Sequence, residues 1–351
     1  MQNAKTVAKR ILASVQRART NLSQNHRATL ALRAIEGQRG RLDARLIKVC
    51  DEYAVERLGG RQFAPWLYVY SAIAGEFKEH WLPDNYFALY VVPLLKGAYG
   101  DVSFLPSLAG PLFRSSSFPN VGAYVNQLFV GEDAKIVPEG NAKEMLFSSA
   151  DRLVFKADHS LQGNGVYFFE ADTFDLDKIK AIGNGVFQRY IRQHAFFDEI
   201  VRGPVSTLRL TTATDTAGQI SLRGAFLRVG RTSDSHVQES TSLDVVVDPH
   251  SGVMQQAFLD WRTIPSHPDT GYVFTGRTLP LFSKCVETVL ALQRTLPQVR
   301  SIGWDVTVDH EDQVRIMEWN GQHNDIKFSE ATQGPCFVGF DWDRLHLTLT
   351  S

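Results

Sequence analysis

The chain has 351 residues, is 44% hydrophobic and 21% charged, and carries a formal net charge of −1. That length accommodates about two or three packed units, and the composition is that of a globular enzyme, excluding a disordered or fibrous chain. Three scattered cysteines (Cys50, Cys285 and Cys336) exclude a disulfide framework and a zinc-finger spacing.

Residues 1–48 hold eleven Lys/Arg against Glu36 and Asp43, a balance of +9, so the remainder carries −10. Two readings are open for the basic stretch. It docks an anionic partner, such as RNA, an acidic carrier protein or a membrane surface, or it is a pair of solvated helix faces. No aromatic residue precedes Tyr53, so the stacking platforms that single-stranded nucleic acid uses are missing there. The amino terminus lacks the apolar core of a signal peptide, and YFALYVVPLL covers about half of a membrane span. A soluble cytoplasmic protein is the expectation.

In chain order, Val7, Ile11, Leu12, Val15, Leu22, Leu30, Leu32 and Ile35 recur at helical spacing and predict a basic helix over 4–35, broken by GQRGR. A second helix is predicted over 43–58, stopped by Gly59 and Gly60. Residues 63–113 read as further helix interrupted at Pro83, Pro93 and Pro106. After about residue 115 the pattern turns to β. RLVFKAD, GVYFF, GVFQRYI, TLRLTTAT, ISLRGAFLRVG and LDVVVD are β-branched or aromatic runs between glycine and charged turns. One strong helix is predicted at Leu279–Leu296, with Pro280 in its first turn and Pro297 past its end. A hairpin of Ile302–Asp309 and Val314–Asn320 follows. The pattern predicts an α+β protein, helical at the amino terminus and dominated by antiparallel strands thereafter.

The hairpin carries the clearest chemistry. A turn of HEDQ sets Asp309 against Val314 and, counting back, Asp305 against Glu318 on one sheet face. Asn320 shares that face with Glu318 because strand side chains alternate. Two carboxylates so close repel unless a cation lies between them, and such oxygen donors suit Mg²⁺ held jointly with phosphates. A solvated strand end is the alternative. In RLVFKADHSLQGNGVYFF, Lys156 ends a strand and Gln162, Gly163, Asn164 and Gly165 form a loop whose N–H groups can approach phosphate, or a plain hairpin turn. No GK[ST] follows, so it is not a Walker A loop, and strand follows where a dinucleotide fingerprint needs helix. GVFQRYIRQ reads as a core strand, or as a strand edge offering its backbone to adenine beside Gln188. His159, His194 and His323 read as surface or supporting histidines, and Cys336 as a small buried residue.

The order Lys156 with its glycine loop, QRYI, STLRLTT, FLRVG and GWDVTV…MEWN resembles the ATP-grasp superfamily, which includes D-alanine–D-alanine ligases and ribosomal-protein glutamate ligases. TLRLTT, SHPDTGYVFTGRTLP and IGWDVTV…IMEWNG resemble its sugar-transfer-associated branch, over roughly residues 110–340. The resemblance implies an ATP-grasp fold in which two α+β subdomains grip ATP. These would be a lid at 111–190 and a core at 191–351, preceded by the helical region 1–110. It places Lys156 and Gln162–Gly165 on the phosphates, and Gln188, Tyr190 and Ile191 against adenine. Asp305, Glu318 and Asn320 would hold Mg²⁺ (two ions, with Mn²⁺ an alternative), and Arg209 and Arg228 would contact phosphate or acyl phosphate. The implied reaction joins a small-molecule carboxylate to an amine through an acyl phosphate, releasing ADP and phosphate. A kinase acting on a hydroxyl and a non-catalytic nucleotide-binding regulator are the rivals. Two departures stand out. The family's earlier lysine is missing, with Lys135, Lys143 or Arg114 as substitutes, and residues 1–110 do not read as a βαβ pre-domain.

Overall fold

The computed structural model describes residues 2–160, 165–237 and 241–349. Helix α1 (Gln2–Arg39) outruns its predicted end, because Gly37 stays helical and the chain turns only at Gly40, at φ +89°. Helix α2 (Ala44–Glu56) starts where Asp43 accepts the Arg45 N–H at 2.7 Å. Helix α3 (Ala64–Ala74) ends on Gly75, in the left-handed conformation that a Cβ disfavours. Ala28, Ala31 and Ile35 of α1, Cys50 and Ala54 of α2, and Leu67 and Tyr70 of α3 form one buried cluster. The same cluster takes Ile326, Phe337 and Trp342 from near the carboxyl end, so the helical region is part of the body.

Pro93 does not interrupt the chain as expected. Helix Asp84–Tyr86, a π-turn at Phe87–Val91 and helix Val92–Leu95 run on continuously. The wider turn, with the Val92 N–H reaching Phe87, carries the helix past a proline that cannot donate.

Two antiparallel sheets follow. The first contains β1 (Asn120–Val125), β2 (Leu128–Gly131), β3 (Ile136–Val137), β4 (Arg152–Ala157), β5 (Val166–Glu170) and β6 (Gly185–Arg189), in the order β3-β2-β1-β6-β4-β5. The second contains β7 (Thr207–Thr214), β8 (Ile220–Val229), β9 (Leu243–Val247), β10 (Met254–Leu259), β11 (Arg262–Ile264), β12 (Ser301–Val308) and β13 (Val314–Asn320), in the order β11-β10-β9-β8-β7-β12-β13. Beyond residue 115 one helix is predicted, yet Glu139–Phe147, Leu176–Ile182, Ala195–Ile200 and Lys327–Gln333 are also helical. Each is too short for a 3.6-residue period to register. The predicted helix itself begins at Phe282, since Leu281 takes a left-handed φ of +51° and leaves Pro280 outside. Along β4, Leu153 and Phe155 enter the first sheet's own core. Alternation sends Val154 and Lys156 to the other face, toward the second sheet.

Candidate active site

The β12–β13 hairpin reaches the expected pairing by a different route. Val308, not Asp309, faces Val314, because Asp309 closes the turn with its N–H on the Gln313 carbonyl at 3.0 Å. The ladder then skips Met317, and this bulge restores Asp305 opposite Glu318. The displaced Met317 carbonyl accepts a hydrogen bond from Lys156 Nζ at 2.7 Å, tying the first sheet to the second. Burial lowers the Lys156 pKa, against the pull of Glu318 and Asp305.

Asp305 is not left to a cation alone. Arg209 stands across from it on β7 and clamps both carboxylate oxygens, Nε at 2.7 Å and Nη2 at 3.0 Å. Asn320 Nδ2 adds a bond to Asp305 at 3.2 Å, and Arg209 Nη1 donates to the Asn324 carbonyl at 3.2 Å. Burial works against the Arg209 charge, but Asp305 outweighs it and raises the pKa. Glu318 is exposed toward the cleft. Desolvation within the cleft first, then the Asp305 charge, push its pKa up, with Lys156 and Arg209 opposing. Arg228 bonds Asp244 at 3.2 Å and Asp325 at 3.1 Å. Burial would raise Asp325, but Lys327, which bonds it directly, and the two arginines hold its carboxyl far below the usual range.

Lys156, Arg209, Arg228, Asp305, Glu318, Asn320, Asp325 and Lys327 line one cavity of about 370 Å³ between the sheets, together with Gln188, Tyr190 and Ile191. Gln162, Gly163 and Asn164 lie outside the described residues. Gly165 closes a turn at φ +77°, where an added Cβ would meet Ser160 at 2.8 Å. The idea of a free strand edge for adenine is corrected. β6 is paired on both sides, with β1 and β4, and Gln188 donates to Asn120 Oδ1 at 2.9 Å, leaving the strand's end at Tyr190 and Ile191 to face the cavity. None of Arg114, Lys135 and Lys143 lines it, and Lys135 pairs with Asp133 in solvent. Sequence reasoning missed Gln24 and Arg27 of α1, Asp84, Arg189, Asp325 and Lys327, and it read His323 only as a supporting residue. The polar run QHNDIK after the hairpin could have signalled the last three, whereas α1 arrives only by packing.

Lining cations (Arg27, Lys156, Arg189, Arg209, Arg228 and Lys327) outnumber the carboxylates Asp84, Asp305, Glu318 and Asp325, which favours an anionic guest. No group of three or more His, Cys, Asp or Glu side chains that could hold a metal occurs among the described residues. Asp305, Glu318 and Asn320 offer two carboxylates and an amide. That set fits a hard dication sharing its shell with phosphate. Among the described residues, no helix is long and apolar enough to cross a membrane.

No curated protein sequence matches the chain. Among solved structures, the biotin carboxylase domain dimer of the Hydrogenobacter thermophilus 2-oxoglutarate carboxylase, in complex with MgADP, ADP and bicarbonate, is 9% identical. It aligns over 72% of this chain and 46% of its own, with a TM-score of 0.43. The ATP-grasp ligase PsnB complexed with minimal precursor is 11% identical over 73% of this chain and 63% of its own, TM-score 0.41. The biotin carboxylase–β-γ-ATP complex from Campylobacter jejuni is 11% identical over 91% of this chain and 67% of its own, TM-score 0.43. The chain spans about half the length of the first solved structures it matches, and such identities transfer no chemistry. Residues 177–339, which carry the second sheet with Arg209, Arg228, Asp305, Glu318 and Asn320, match the model of the family described as sugar-transfer associated ATP-grasp.

Proposed function

We propose that the protein is an ATP-dependent carboxylate–amine ligase working through an acyl phosphate. The observation that carries this reading is the single cavity in which Lys156 of one sheet meets Asp305, Glu318 and Asn320 of the other. A carboxylate oxygen of the substrate attacks the γ-phosphorus, the bond to the β–γ bridging oxygen breaks, and ADP leaves. The nitrogen of a neutral amine then attacks the acyl carbon. The bond from that carbon to the phosphate oxygen breaks, phosphate leaves, and the nitrogen gives up a proton. The first step needs no base, because a carboxylic acid is already ionised at neutral pH.

The protein's share of this chemistry is position and charge. Lys156 and Arg228 supply positive charge to the phosphates, and Tyr190 and Ile191 flank the base. Arg209 acts through Asp305, fixing the carboxylate's orientation. Asp305, Glu318 and Asn320 would hold Mg²⁺, which when bound offsets phosphate charge. Melting curves with ATP, ADP and a non-hydrolysable analogue at saturating Mg²⁺ test the nucleotide part. Ligand at about 100 times its dissociation constant adds roughly 2.7 kcal/mol, or at least about 2 °C for a chain of this size. No shift with any of the three removes the proposal. A screen for ADP release over amino acids, sugar acids and acyl donors, with mass spectrometry of products, tests the ligase part. Free phosphate together with an amide product supports it, and ADP without free phosphate points to a kinase.

A further inference from the structure

Helix α1 continues past the body it packs on. Ser14 to Arg19 are all exposed, and six residues exceed the roughly 3.6 of one turn, so no side of this stretch rests on the protein. Farther along, Ala28, Ala31 and Ile35 are buried in the helical cluster. About half a turn round from them runs an outward stripe of Val15, Arg19, Leu22, His26, Leu30 and Arg33, spaced 4, 3, 4, 4 and 3 positions apart. All six are exposed, Leu22 at 72% and Leu30 at 50%, and apolar residues alternate with basic ones along it.

The charge on this helix is one-sided. Residues 1–35 hold seven Lys/Arg and no acid. Glu36, the first carboxylate of the chain, accepts the Leu42 N–H at 3.1 Å. The first turn contains Lys5 and no acid, the unfavourable sign for the positive end of a helix dipole. No Glu–Lys pair four residues apart can form in this half of the helix, and its exposed stretch has no core to lean on. A helix so placed is stabilised by what covers it.

The covering surface has to suit both kinds of residue. Single-stranded nucleic acid finds no aromatic residue before Tyr53 on which to stack its bases, and phosphates alone leave Leu22 and Leu30 in water. A second copy of the helix would set seven cations against seven. A lipid surface of negative charge suits both, because leucines enter the acyl boundary while arginines keep their charged ends among the phosphates. The helix is not apolar enough to cross a bilayer, so the contact is adsorption along its length.

We propose that the outward stripe of α1 is a docking face for a bilayer bearing anionic phospholipid, to which the chain binds peripherally. The inference is independent of the ligase reading. Gln24 and Arg27, which line the cavity, lie off the stripe, so exchanges on the stripe leave the cavity lining intact.

The test is flotation of the full chain with vesicles of phosphatidylcholine alone and of phosphatidylcholine with phosphatidylserine. Binding is expected to the mixed vesicles only. It should weaken between about 0.1 M and about 1 M salt, as the screening length shortens from about 10 Å to about 3 Å. Arg19→Gln with Arg33→Gln should weaken it about 25-fold, at about fivefold for each basic residue near the surface. Leu22→Gln with Leu30→Gln should weaken it at least about tenfold. All four positions are exposed, so both double variants should keep the parent's circular dichroism and its melting response to MgADP. The lipid preference of the parent remains decisive if either variant misfolds. No flotation with the mixed vesicles overturns the proposal. So does flotation that the leucine exchange leaves unchanged, which would mark a site for any polyanion. A parent that sediments as a dimer, and becomes a monomer with the leucine exchange, gives the stripe to a second copy and overturns the proposal as well.

Discussion

Glu318→Gln separates a metal-holding hairpin from a merely structural one. The exchange keeps the side chain's shape and removes one charge from a pair standing directly opposite in the β12–β13 ladder. At a separation of about 5 Å and an effective dielectric of ~20, two carboxylates repel by roughly 3 kcal/mol. Lys156 and Arg209 offset much of this, so the variant without metal or nucleotide should gain about 0–2 kcal/mol, a rise of at most about 4 °C. The sign has a pH signature. The pKa of Glu318 in the folded state lies above the ordinary 4.5, so its ionisation costs stability as pH rises from there. The advantage of the Gln variant should be absent at low pH and grow through the upper carboxylate range. Turnover should fall by about 10²–10³, the usual loss for one preorganised electrostatic contact, with partial recovery at high Mg²⁺. Paired melting and ADP-release measurements decide the matter. Near-normal turnover in the Gln variant would sink the metal assignment, and a melting point lowered by several degrees would show that Glu318 instead holds the hairpin together.

Arg209→Met should leave Asp305 buried without its bidentate partner and cost about 3–5 kcal/mol. Adding Asp305→Leu should restore most of the melting point and none of the activity, and a single variant as stable as the parent would contradict this. Deleting residues 1–36 should unfold the helical cluster, because Ala28, Ala31 and Ile35 are buried against α2 and α3. A truncated chain with native circular dichroism and melting would refute that packing. Glu330 is buried beneath Trp81 and Cys336, and burial pushes its pKa up to about 8, opposed by the Leu82 and Cys336 N–H groups. With the folded value above the unfolded one, stability should fall as pH rises from about 4.5 to about 8 by a few kcal/mol. Glu330→Gln should flatten that slope in urea titrations, and an unchanged slope would assign the pH dependence elsewhere.

Much of the hairpin was legible because a strand pattern constrains faces. Carboxylates at 305 and 318 and an amide at 320 interrupt runs that otherwise ask for Val and Ile, and period-two alternation puts 318 and 320 together. The pairing of 305 with 318 came out of a turn count that was off by one and a bulge at Met317 that was not foreseen. A bulge has no local sequence signature here, since Met is an ordinary strand residue. Long elements were legible for the same reason of period, whereas helices of six to nine residues such as Ala195–Ile200 and Glu139–Phe147 were not. The partners of the charged groups were beyond reach. Arg209 finds Asp305 96 positions away, Lys156 finds Met317 161 positions away, and His323 meets Asp84 across most of the chain. A sequence specifies which side chains carry charge and which face of a strand they share. Which opposite charges meet in a buried cleft depends on how two sheets and a helical cluster close over one another, and only the tertiary structure decided that.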